Sequence, residues 1–277
     1  MKITYHSWKT FSECPKKYYL EYIKKEPPTV PINEYHTLYG KLVEMFFEMF
    51  CNIWRYETPY MPPDYIRKKL SLLYDGILQT STVQWSGFGI KFSREEIFEQ
   101  AFQDVCRIMD SPNQNYFLNT RSEVTIEVQL KNEHKLEGRL DFIHKHHLSN
   151  DIYIFDGKGT TKIGKNVSNN QLFFYALLYF FHYKVLPIEL GFFYFRFNSY
   201  IPIFFTQDVL NEFRARIAVD LKSMTSTTDY LPTPSAKSCK YCKYSVGCIE
   251  CMLSRGKRAR KSKIEDIQGE GLVEFSF

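Results

Sequence analysis

Apolar residues in the first third of the chain recur at helical spacing. Leu42, Met45, Phe46, Met49 and Ile53 fall on one stripe and predict a helix over 38–54. Residues 65–78 and 93–109 repeat the pattern, and Ser93 with Glu96 three residues on predicts a capping box at the start of the latter. Ahead of these, 6–24 predicts one or two short helices around Cys14-Pro15, broken by the proline-rich 26–31. Near Glu123 the period shortens to two. Strands are predicted over 124–130, 136–144 and 151–156, with turn residues at 132–134 and 149–150 between them. A long helix follows over 168–182, then strands over 189–196 and 200–206, and a helix over 207–223. Three strands, a helix, two strands and a helix make an α/β core rather than a bundle. The expected organisation is a mostly helical region over 1–122, a core over 123–224, a cysteine segment over 225–252 and a tail over 253–277.

Composition narrows the class. The 277 residues are 44% hydrophobic and 17% aromatic, enough to bury a core and to argue against global disorder. No apolar run approaches the roughly 18 residues of a membrane span, so no membrane partner is expected. The start of the chain lacks the apolar core of a secretory signal. Seven cysteines in such a chain point to a reducing, cytoplasmic setting, where clustered thiols more often bind metal than pair. The net charge of +5 permits nucleic-acid binding, and its distribution says more. Residues 255–263 are densely basic and suited to DNA phosphates, whereas 264–277 carry four acids and no base. A solvated tail with no partner is the plain alternative. The aromatic runs at 173–174, 179–181 and 192–195 could stack bases, but such runs more often form core, and core is expected.

The middle of the chain carries candidate chemistry. Asp141 lies late in the second predicted strand, and Asp156 and Lys158 at the end of the third. Side chains two apart on a strand share a face, so Asp156 and Lys158 project together. If the two strands pair as a hairpin, Asp141 lies near Asp156, and two carboxylates converge with an ammonium. Phosphodiester cleavage needs such a set. Hard oxygen ligands hold Mg²⁺ or Mn²⁺. The ion activates a water and polarises the phosphate, and a lysine neutralises developing charge. An isolated Asp-x-Lys is usually a surface ion pair. Here Gln171 and Tyr175 also stand one turn apart on the following helix and share a face.

The cysteines form a second pattern. Cys239, Cys242 and Cys248 cluster near the end, and Cys14 stands alone near the start. Cys248 and Cys251 make a further C-x-x-C, so the late cluster could by itself bind zinc. Its five-residue spacer is short for a zinc site, and that choice leaves Cys14 idle. Cys51 and Cys106 fall in helical apolar patterns and are expected to be core thiols.

Taken in order, Gly40-Lys-Leu-Val-Glu44, Gly138-Arg-Leu-Asp141, Asp156-Gly157-Lys158 and Gln171-Leu-Phe-Phe-Tyr175 resemble the RecB-like nucleases of the PD-(D/E)xK superfamily. The segment from His6 through Cys14 to Leu20 resembles the first cysteine motif of the iron–sulfur branch, which includes the AddB nuclease domain and the CRISPR-associated iron–sulfur exonucleases. The resemblance implies a restriction-endonuclease-like fold, a mixed central sheet flanked by helices. It implies Asp141 and Asp156 as metal ligands with the carbonyl of Gly157, Lys158 as the catalytic lysine, and Gln171 and Tyr175 as positioning groups. It also implies a structural [4Fe–4S] cluster on Cys14, Cys239, Cys242 and Cys248, tying the early helix to the late segment. The implied activity is DNA cleavage, as an exonuclease on single-stranded or resected ends in recombination, repair or replication, in a bacterium or a phage-infected host. One position departs from the pattern. Family members often carry a histidine ligand where this chain has Glu44. Glutamate also binds Mg²⁺ or Mn²⁺, so an active enzyme with altered metal preference is expected, and Glu48 is the alternative ligand. A DNA-binding scaffold with a vestigial site and a zinc-stabilised interaction protein remain as other readings. The end, 271–277, resembles peptides that dock on a sliding clamp, against the simpler reading of a strand packed on its own domain. No nucleotide-binding P-loop is present, so ATP-driven unwinding would need a partner.

Overall fold

The computed structural model describes residues 1–30, 33–53, 60–86, 89–130, 134–146, 148–164, 167–240, 242–246 and 248–254. The basic run at 255–263, the acidic end at 264–277, Trp54 and the turn residues 132–133 lie outside the described residues.

The chain divides into two compact units. One comprises Met1–Tyr5 and Asn33–Ala218, the other His6–Ile32 and Val219–Phe277.

In the first unit the three predicted helices form as α3 (Leu38–Ile53), α4 (Pro63–Thr80) and α5 (Arg94–Met109). The Ser93–Glu96 capping box is present in both directions. The buried face of α3 is Leu42, Val43, Phe46, Phe47 and Phe50, which shares only Leu42 and Phe46 with the predicted stripe, whereas Met45 and Ile53 are exposed. That face packs into one core with α4, α5 and the aromatic rings of Phe117, Phe142, Phe155, Phe193 and Phe195. Phe47 sits centrally, stacked on Phe117 at 4.1 Å and on Phe195 at 5.6 Å between centroids.

The sheet is mixed and six-stranded. A two-residue strand β1 (Lys2–Ile3) precedes β2 (Thr120–Gln129), β3 (Lys135–Lys145), β4 (Ile152–Lys158), β5 (Glu189–Tyr194) and β6 (Ser199–Ile203). The path runs β1-β3-β4-β5-β6, with β2 also on β3. β3 pairs antiparallel with both β2 and β4, and β5 pairs parallel with β4. Helix α6 (Asn170–Tyr183) supplies the crossover a parallel pair requires and packs on β2 to β5. It is the strongly apolar segment of the sequence, and Leu172, Phe174 and Ala176 to Tyr179 are buried. The aromatic runs of α6 and β5 are mostly core, as expected.

Several boundaries differ from the sequence reading; β6, for one, ends at Ile203 rather than at 206. β2 begins at Thr120, earlier than the alternation suggests. β5 ends at Tyr194, because Phe195–Phe197 turns as a 3₁₀ segment ending at Asn198 with φ 44°. That turn sends Phe195 into the core and Arg196 away from the strand.

The second unit joins the two ends of the chain. Helix α1 (Tyr5–Glu13) leads through Cys14, which has extended backbone, into α2 (Pro15–Tyr18) and a π-helical turn over Tyr19–Ile23. Trp8 donates its indole N–H to Asp220 at 2.9 Å, near the end of α7 (Gln207–Ser226). Tyr244 donates to the carbonyl of Glu26 and Thr233 to that of Glu13. Tyr19 stacks on Tyr230 at 4.8 Å, and Lys16 pairs with Glu250 at 3.5 Å. A short helix α8 (Ala236–Lys240) carries Cys239. Among the described residues, no helix is long and apolar enough to cross a membrane.

Candidate active site

Antiparallel register decides what meets across β3. Phe142 stands opposite Phe155 and Ile143 opposite Ile154, so one step further Asp141 is level with Asp156. On the other side, Ser122 stands opposite Phe142 and Val124 opposite Leu140, so Glu123 is also level with Asp141. Three adjacent strands thus carry an acid in one row. Glu123 has φ 55°, a left-handed conformation that a non-glycine residue rarely adopts, and regular pairing is interrupted there. Such an outlier costs on the order of 1–3 kcal/mol and concentrates at functional sites.

The fourth acid comes from α3. Its first turn crosses the end of β4 at two glycines. A Cβ on Gly159 would lie 2.6 Å from the Cα of Gly40, so only glycine allows the approach. Glu44, one turn along, is thereby brought within electrostatic reach of Asp156 and Glu123. Gly138 similarly admits α6, since a Cβ there would meet Leu178 at 2.5 Å and the ring of Tyr175 at 3.5 Å.

The electrostatics follow from this crowding. Asp156 is buried at 1% exposure and pairs with the ammonium of Lys158, two residues along the same strand. Burial, then Asp156 and Glu44, hold Asp141 well above the usual carboxylate range. Burial, then Asp156 and Glu123, push Glu44 up to about 7. Burial, then Glu123 and Glu44, push Glu48 up to about 8. Burial alone would lower Lys158, but Asp156, Asp141 and Glu44 outweigh it and its pKa rises. The hydroxyl of Tyr175 accepts from Gln171 Nε2 at 3.0 Å, and burial beside Asp141 raises its pKa. Of the sequence-derived set, Glu44, Asp141, Asp156, Lys158 and Tyr175 are thus brought together, Gln171 is hydrogen-bonded to Tyr175, and Gly157 lies between Asp156 and Lys158 on β4.

Glu123 was not anticipated from the sequence. It pairs with Arg139 at 2.5 Å through one oxygen, while the other is buried without a hydrogen bond. Ligand atoms of Glu44, Glu48 and Glu123 all lie within 4.8 Å of one another and could share a cation. The site is rich in hard oxygen donors and holds far more carboxylate than ammonium. That imbalance suits a divalent ion such as Mg²⁺ or Mn²⁺.

Cys14, Cys239, Cys242, Cys248 and Cys251 lie in the second unit, and Cys51 and Cys106 in the first. Cys239 and Cys251 are buried and Cys14, Cys242 and Cys248 half-buried. Burial, a hydrogen bond with Cys239 and the nearby Cys242 and Cys248 push Cys251 up to about 12. Four late thiols are therefore neighbours. The ion pair of Lys16 with Glu250 holds the segment just after Cys14 to the segment just after Cys248. Cys51 is a buried core thiol and Cys106 a half-buried one.

No curated protein matches the chain. Among solved structures, one from Eubacterium rectale named "Putative exonuclease" is similar at 11% identity, covering 87% of each chain, with a TM-score of 0.49. The protein SSO0001 is similar at 15% identity over 75% of this chain and 94% of its own, with a TM-score of 0.30. The model of the PD-(D/E)XK nuclease superfamily matches residues 2–249, which takes in the acid row on the sheet and Cys14, Cys239, Cys242 and Cys248, but not Cys251. With that match over most of its length, the chain belongs to the PD-(D/E)XK nuclease superfamily.

Proposed function

We propose that the chain is a metal-dependent deoxyribonuclease of the RecB-like iron–sulfur type, an exonuclease acting on single-stranded or resected DNA ends in recombination, repair or replication. The observation that carries the reading is the meeting of Asp141, Asp156 and Glu44 around Lys158. Asp141, Asp156 and Glu44, with the carbonyl of Gly157, would hold the divalent ion, and Glu48 and Glu123 border it. The ion, when bound, activates water for attack and stabilises the leaving oxygen. Lys158 neutralises charge that develops on the phosphate, from a position Asp156 fixes. Gln171 orients Tyr175 by its hydrogen bond, and Tyr175 in turn faces the Asp141 carboxylate.

Cys14, Cys239, Cys242 and Cys248 are the proposed ligands of a structural [4Fe–4S] cluster, whose soft thiolate donors suit iron. The ties between the early and late segments of the second unit support this choice. Cys251, beside Cys239, is the one competitor for the place of Cys14. Anaerobically purified protein is expected to be brown with iron and sulfide. Colourless protein holding stoichiometric zinc would replace the cluster by a zinc site.

The test of function is cleavage of linear and circular single-stranded DNA with Mn²⁺ or Mg²⁺, beside Lys158→Ala. Loss of the linear substrate alone, abolished by the substitution, is expected. Cutting of the circle would make the enzyme an endonuclease. Binding of DNA without cleavage of either would leave the scaffold reading, with Glu44 in the histidine's place as its cause.

A further inference from the structure

Lys158 also lines a partly open cavity of about 540 Å³ in the first unit. That lies within the roughly 300–1,000 Å³ of small-molecule pockets. Its lining reverses the character of the site beside it. Lys91, Lys158, Lys162 and Arg196 border it, and among the described residues no acid does.

Arg196 is held in place before any ligand arrives. Its guanidinium lies over the ring of Tyr39 at 3.6 Å, and its Nε donates to the carbonyl of Gly159 at 3.2 Å. Tyr39 is anchored in turn, donating its hydroxyl to the buried carboxylate of Asp104 at 2.8 Å. Among the described residues, the two terminal nitrogens of Arg196 meet no acceptor. A planar guanidinium fixed in this way, with its fork open, is a preorganised phosphate donor.

The rim also offers a flat apolar surface. Phe92 is 47% exposed, yet its backbone is not loose. The hydroxyl of Tyr35 accepts from the backbone N–H groups of Lys91 and Phe92 and donates to the carbonyl of Phe92. An exposed ring on a pinned backbone suits a stacked base.

We propose that this cavity is a nucleotide subsite that takes the terminal nucleotide of the DNA strand whose phosphodiester lies at Lys158. Its phosphate binds Arg196 with Lys91 and Lys162, and its base lies against Phe92. The assignment of the occupant as a strand end rests on the nuclease reading. The volume suits one nucleotide.

Calorimetric titration of the full chain without divalent metal tests this, using deoxyadenosine 5′-monophosphate, deoxyadenosine and inorganic phosphate. The nucleotide is expected to bind at least tenfold more tightly than either part. Lys91→Ala combined with Lys162→Ala, both exposed lysines, should weaken it tenfold or more with an unchanged melting temperature. Phe92→Ala should weaken the nucleotide and leave inorganic phosphate unaffected. Arg196→Lys, which keeps the charge and loses the fork, should also weaken it. Equal binding of nucleotide and nucleoside, no binding, or binding indifferent to these substitutions would overturn the subsite. If the chain cleaves DNA but does not bind the nucleotide, the subsite alone fails. If it binds the nucleotide as described but cuts nothing, the nuclease reading fails and the subsite stands.

Discussion

Gly159→Ala perturbs the site without touching any of its reactive groups. The added Cβ would sit 2.6 Å from the Cα of Gly40 and 3.1 Å from both the Gly40 nitrogen and the Tyr39 ring. Ordinary contact begins at 3.4 Å, so the nearest atom must retreat by about 0.8 Å, and that atom is backbone. No rotamer change relieves it. The first turn of α3 must move off the end of β4, and Glu44 moves with it. Overpacking of this kind costs about 1–3 kcal/mol. A misplacement near 1 Å in a catalytic constellation can cost on the order of 100-fold in rate. Urea unfolding is therefore expected to show a loss of about 1–3 kcal/mol. Metal-dependent cleavage should fall much further than the loss of folded protein explains, and apparent Mn²⁺ affinity should weaken. Gly76→Ala is the matched control. It lies exposed within α4 with nothing within 4 Å of its would-be Cβ, and it should stabilise by up to about 1 kcal/mol. Wild-type cleavage and metal affinity in Gly159→Ala would refute the idea that this glycine crossing sets the position of Glu44.

Other expectations follow from the same geometry. Asp156→Asn removes a proposed ligand and the partner of Lys158, and should abolish cleavage while near-ultraviolet circular dichroism stays native. Glu44 and Glu48 have folded-state pKa values of about 7 and 8, above the ordinary 4.5. Raised acids favour the folded state while protonated, so their contribution is complete below about pH 4.5 and is lost as pH rises through 7 to 8. The melting temperature of protein free of divalent metal should accordingly fall between pH 5 and pH 8, and Mn²⁺ should restore it most at pH 8. An equal effect of Mn²⁺ at pH 5 would contradict the acid cluster as the binding site. Asp104→Ala leaves the buried Tyr39 hydroxyl without its acceptor, and chemical denaturation should show a loss of about 1–3 kcal/mol.

Much of this arrangement was legible in the residues. The helix of α3, the capping box at Ser93 and the run from Leu172 to Tyr179 are local signals that survive into structure, although Met45 and Ile53 of the predicted α3 stripe lie exposed. The pairing of Asp141 with Asp156 was also within reach, because a hairpin between neighbouring strands leaves little freedom in register. Glu123 was not. Its place depends on β2 meeting β3 in one register and on a left-handed backbone that no neighbouring glycine announces. Arg196 looked like the last residue of a strand. The 3₁₀ turn at Phe195 removes it, driven by the fit of Phe195 against Phe47, a contact spanning most of the unit. β1 has two residues and pairs with Lys135 and Leu136, far too little pattern to read.

The second unit is built from residues at opposite ends of the chain, and this bears on how the protein is made. Its hydrogen bonds link Trp8 to Asp220 and Glu26 to Tyr244, separations of 212 and 218 positions. A ribosome releases His6–Ile32 first, and everything between must be synthesised before its partners exist. Segments with such distant partners order slowly, whereas the region from Asn33 to Ala218 can organise as it emerges. Through that interval the early segment leaves Trp8, Tyr18 and Tyr19 without these partners. A cofactor bound by Cys14 together with the late cysteines could enter only after Cys248 has been synthesised, so an early segment is among the last to be secured.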